Sequence, residues 1–68
     1  MNRSFIRCLV ALEMAAGLFD GGAQDAGMAA YAEATRIIDQ ELTHPEEFLR
    51  AFIEAEHVLR TYIWRPEC

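Results

Sequence analysis

From residue 5 onward, apolar side chains recur every three or four positions, which is the period of an α-helix and not of a strand. In the first segment they form two stripes, Phe5, Leu9, Leu12, Ala16 and Phe19 on one and Ile6, Val10, Met14 and Leu18 on the other. Only Arg7 and Glu13 interrupt this surface. A helix apolar around most of its circumference must be covered on more than one side. Ser4 is a good N-cap residue, and Asp20-Gly21-Gly22 supplies glycines that end a helix. The first helix is therefore expected at about residues 5–19.

The second pattern has Met28, Tyr31, Thr35, Ile38 and Leu42 at alternating spacings of three and four, with Asp25 as its expected cap, and predicts a helix over about 24–42. Gly27 lies near its start and costs about 1 kcal/mol against alanine, so this end is expected to fray. Thr43 followed by Glu46 reads as a capping box, and Pro45 is tolerated in a first turn. The third helix is expected over about 44–64, ahead of Pro66, with Phe48, Phe52, Ala55, Leu59 and Tyr62 on its seam. The predicted fold is all-α: three helices in a single domain over residues 1–68, the second and third joined by a connection short enough to force an antiparallel hairpin zipped along its two heptad seams. The first helix then covers one side of that hairpin, and its second stripe, Ile6, Val10, Met14 and Leu18, meets a second copy in a two-fold dimer.

Composition strengthens the case for association. The chain has 68 residues, of which 53% are hydrophobic. Area scaling has folding remove about 60% of the surface of so small a chain. Roughly 3,900 Å² of apolar burial at about 25 cal/mol/Å² then gives about 100 kcal/mol. Ordering the residues at about 1.5 kcal/mol each costs about as much. A monomer balances near zero. Cys8 and Cys68 lie near opposite ends without C-x-x-C spacing, so neither a disulfide framework nor a zinc site is encoded, and a partner chain is the expected source of stability.

Charge narrows the classes of partner. The net charge is −5, from eleven acidic residues against six arginines, with no lysine. Affinity for nucleic acid and for anionic lipid comes from Lys and Arg, so both partners are disfavoured. Arg3, Arg7 and the apolar run after them imitate a signal peptide, but Glu13 interrupts the run. No stretch approaches the ~20 apolar residues of a membrane span, and a cytoplasmic location is expected.

Candidate chemistry is sparse. Glu46 with Arg50 and Glu56 with Arg60 are i,i+4 pairs that support a helix surface and need no catalytic role. Cys8 with His44 or His57 has the residue types of a thiol nucleophile and base, yet Cys8 sits in the most apolar helix, where an inert thiol is expected. The glycines match no phosphate-binding spacing. His57 shares a face with Arg50, Ile53, Arg60 and Trp64, and it reads first as a solvated histidine and second as a pH-sensitive contact. A helix-turn-helix is disfavoured by Pro45-Glu46-Glu47, which would turn carboxylates toward DNA. The C-terminal cluster Arg60, Tyr62, Trp64 and Arg65 carries the residue types of binding hot spots, with the alternative that Trp64 folds back near Met28 and Tyr31. The expectation is a non-enzymatic protein without cofactor or metal that binds another protein as an inhibitor, anti-activator or adaptor. The alternatives are a DNA-binding regulator and a structural subunit.

Overall fold

The computed structural model of the chain describes residues 2–64. It contains α1 (Arg3–Asp20), α2 (Gln24–Gln40) and α3 (Pro45–Val58), followed by a π-helical turn over Leu59–Ile63. The chain is all-helical, and no strand occurs among the described residues.

The helix boundaries depart from the sequence expectation at the caps. Asn2, not Ser4, caps α1: its backbone is extended and its side chain accepts from the Ser4 amide at 2.9 Å. Ser4 is released to lie inside the helix, where its hydroxyl donates to Glu41 at 2.7 Å. At the other end of α1, Gly22 adopts a φ of 84°. The Ala23 amide then donates to the Leu18 carbonyl at 2.8 Å and the Gly22 amide to Phe19 at 3.0 Å, the two bonds of a Schellman motif. Asp25 lies in the first turn of α2 and does not cap it; the cap position is Ala23, which offers no side-chain bond. The second helix stops at Gln40, short of the expected Leu42, with the Glu41 and Leu42 amides both donating to the Ile37 carbonyl.

The capping box at Thr43 and Glu46 does not form. Pro45 takes the first helical position and makes His44 the cap, which leaves Thr43 one residue outside and Glu46 out of register. The α-helix of α3 also ends before the expected Trp64. Its last turn widens, the Trp64 amide donates to Leu59 at 2.7 Å, and Trp64 itself is extended.

Apart from Phe5, the core is built of small and medium side chains: Cys8, Ala11, Leu12 and Ala15 from α1, Ala34, Ile37 and Ile38 from α2, Leu42 just beyond it, and Ala51, Ala55 and Val58 from α3. The packing of α1 on α2 is the most extensive in the molecule. Small residues at the centre of α1 admit that close approach, so its buried face is centred on Cys8, Ala11 and Ala15, while Leu9 and Ala16 of the expected stripe are only half-buried. Gly27 is part of the same contact. A Cβ there would lie 2.9 Å from two ring carbons of Phe19, so glycine is what lets that ring lie against the start of α2.

Candidate protein-binding surfaces

Polar bonds hold α1 and α2 in register. Arg7 of α1 reaches Glu41 at 3.1 Å and Glu33 at 3.4 Å. Arg36 bonds Glu33 at 3.1 and 2.7 Å and Glu41 at 3.1 Å. The hydrogen bond from Arg36, then its charge and that of Arg7, hold the Glu33 carboxyl below its ordinary value. The Ser4 hydroxyl is the main cause of the same downward shift at Glu41, helped by both arginines. The cluster leaves little trace in the sequence, because Ser4 and Arg7 come from α1, Glu33 and Arg36 from α2 and Glu41 from its C-cap, and helical spacing links only Ser4 with Arg7 and Glu33 with Arg36.

With α1 held this way, its second stripe faces outward. Ile6, Val10 and Met14 are 47%, 48% and 56% exposed, and Leu18 is half-buried. At about 100° per residue these side chains project away from the Cys8 and Ala15 face, and hence away from the other two helices.

A second apolar surface lies between α2 and α3. The two expected seams face each other across an open groove of about 310 Å³, with Tyr31, Thr35 and Ile38 on one wall and Phe48, Phe52 and Leu59 on the other. Phe48 and Phe52 stack on each other with centroids 6.3 Å apart, and each remains close to half exposed. The groove stays open because α3 turns the small stripe of Ala51, Ala55 and Val58 toward the core, which places the two phenylalanines at its edge. Leu49 and Ile53 lie further round α3 and are also exposed.

The C-terminal candidates separate. Tyr62 turns inward, stacks on Phe19 at 5.6 Å and donates to Asp20 at 3.2 Å. Burial, then the neighbouring Asp20 carboxylate, pushes its phenol pKa up. Arg60 reaches Glu56 at 3.5 Å, and Trp64 is 55% exposed and does not cover the end of the bundle. Arg65 and Cys68 lie outside the described residues. Of the two expected i,i+4 pairs only Glu56 with Arg60 is formed among the described residues. Arg50 and His57 are exposed beside Ile53, as their shared face implied.

Cys8 is fully buried, its thiol 3.5 Å from the Ala34 carbonyl, and burial pushes its pKa up. His44 and His57 are exposed. Among the described residues no group of three His, Cys, Asp or Glu side chains has the proximity of a metal site, and no helix is long and apolar enough to cross a membrane. No protein-family model, curated protein or solved structure matches the chain.

Proposed function

We propose that this protein acts by occupying the surface of another protein, as an inhibitor, anti-activator or adaptor, and that it does so as a homodimer without catalysis of its own. The observation that carries the reading is the exposure of large apolar side chains. Nine of them, from Ile6 to Trp64, are at least 42% exposed among the described residues. Seven of the nine are gathered on two helices, Ile6, Val10 and Met14 on α1 and Phe48, Leu49, Phe52 and Ile53 on α3, and patches of that kind mark interaction sites.

In this reading α2 and α3 form an antiparallel hairpin, α1 covers one of its sides, and Ile6, Val10, Met14 and Leu18 pair with the same residues of a second copy. A stripe that meets itself across a two-fold axis closes the assembly at two subunits. Arg60 and Trp64 project into solvent and serve as contacts for a different protein, with Arg65 as the remaining sequence candidate; Tyr62, held by Phe19 and Asp20, anchors the π-helical turn that carries Arg60. A photo-reactive phenylalanine analogue at Met14 and at Trp64, in cells that make the protein, tests both parts. The expected result is a self-adduct from Met14 and an adduct with one distinct foreign protein from Trp64. Only self-adducts at both positions would end the assignment of Arg60 and Trp64 as partner contacts, and no self-adduct from Met14 would end the dimer.

A further inference from the structure

The groove between α2 and α3 belongs to neither of these contacts. It is walled by Tyr31 and Ile38 on one side and by Phe48 and Phe52 on the other, and its charged members, Asp39 and Glu56, are both acidic. From Phe48 to Leu59 the α3 wall is about 16 Å long at 1.5 Å per residue, the length of three helical turns.

Charge and symmetry choose the occupant. Two copies joined groove to groove would bring Asp39 and Glu56 of both into one interface, where like charges repel. Seating the α1 stripe of one copy in the groove of the next would join opposite sides of the molecule, because α1 turns that stripe away from α2 and α3 alike. Such a contact is head-to-tail and propagates into a filament unless its rotation closes. A nucleic acid or an anionic membrane would meet acidic side chains at the rim. A cationic segment gains from the same rim. Asp39 has no ion-pair partner among the described residues, and Glu56 has only the 3.5 Å contact with exposed Arg60, a surface pair that a new cation displaces at little cost.

We propose that this groove is the docking site for a cationic amphipathic helix of a different protein, which places apolar residues at i, i+4 and i+7 between Phe48, Phe52, Tyr31 and Ile38 and sets Lys or Arg beside Asp39 and Glu56. The proposal deepens the protein-binding reading and rests on it. It follows the helix-in-groove mode, in which apolar anchors supply affinity and rim charges supply selectivity.

Two synthetic three-turn peptides test it, identical in their Leu anchors at i, i+4 and i+7 and flanked by Lys in one and by Glu in the other. Each is titrated into the full chain, with binding followed by anisotropy and located by amide chemical shifts. The Lys peptide is expected to bind at least about tenfold more tightly than its Glu twin, with shifts at Ile38, Phe48 and Phe52. The double variant Asp39→Lys, Glu56→Lys is expected to reverse that preference. Both substituted residues are exposed. Should the variant fail to fold, the comparison of the two peptides on the unaltered chain decides alone. Equal binding of the twins, absence of binding, or shifts confined to Ile6, Val10 and Met14 would overturn the proposal. The photo-reactive analogue at Phe52 separates the two levels. A foreign adduct from Trp64 with none from Phe52 sinks the groove and leaves the regulator reading; no foreign adduct from either position sinks both.

Discussion

At the scale of the residue, Gly27 is where local propensity and packing disagree most. In isolation a glycine in the first turns of a helix weakens it by about 1 kcal/mol against alanine. In the folded chain a methyl there would meet two Phe19 ring carbons at 2.9 Å, and that ring is held on its own account by stacking on Tyr62. Gly17 has the same residue type with nothing within 4 Å of its notional Cβ. Gly17→Ala is therefore expected to raise stability by about 0.5–1 kcal/mol. Gly27→Ala, whose overpacking cost of about 1–3 kcal/mol offsets or exceeds the propensity gain, is expected to lower it by about 1 kcal/mol. Urea unfolding of the pair decides, and midpoints that move in the same direction would remove the packing account of Gly27. Cys8 shows the same dependence on surroundings. Its burial was foreseeable from the apolar helix around it, but not its place at the centre of the face against Ala34.

At the scale of the element, the helices themselves were legible from apolar spacing and the N-caps of all three were not. Thr43 and Glu46 have the right identities for a capping box, yet Pro45 determines where α3 begins and so takes the box out of register. Asn2 had no such signature and still makes the cap, because its extended backbone aims its side chain at the Ser4 amide. The Ser4, Arg7, Glu33, Arg36 and Glu41 cluster adds polar bonds to the apolar packing of α1 on α2, and its chemistry has a pH signature. Glu33 and Glu41 are held below the ordinary carboxylate value of 4.5 in the folded state. Their contribution is fully present above that value and is lost as pH falls through the lowered ones, because the unfolded chain then takes up protons first. The melting temperature is expected to fall as pH drops from about 5 toward 3, and less steeply in Glu41→Gln, which starts lower. High salt should narrow the difference, since the groups are near the surface. Parallel pH profiles for the variant and the unaltered chain would show that the cluster contributes nothing to folding.

At the scale of the whole molecule, stability is unevenly spread. The α1 and α2 pair holds the larger side chains, the cross-helix ion pairs and the Gly27 contact, whereas α3 adds the small residues Ala51, Ala55 and Val58 and leaves Phe48, Leu49, Phe52 and Ile53 outside. Local opening tracks such differences in buried apolar contact. Native-state hydrogen exchange is expected to find the slowest amides around Cys8, Leu12, Ala34 and Ile37, with α3 exchanging sooner as a unit. Equal protection in all three helices would show that α3 is held as firmly as the others. On that expectation, α3, which carries one wall of the proposed docking groove, is the helix that adjusts most readily to an occupant.

The all-helical architecture, the break at Gly21 and Gly22 and the excess of apolar surface over what one small core can hide follow from spacing and composition, because helical periodicity and the ratio of surface to volume act on any chain with these residues. The outward stripe of Ile6, Val10 and Met14 was readable for the same reason: a helix has only one side to turn toward its neighbours. Which residues lie at the centre of the core, why Gly27 is required, how Ser4 and Arg7 find Glu41, and why Phe48 and Phe52 border an open groove were decided by tertiary structure alone. Each depends on how closely two helices approach and at what rotation, and small side chains on both surfaces set that distance, which no single helix records.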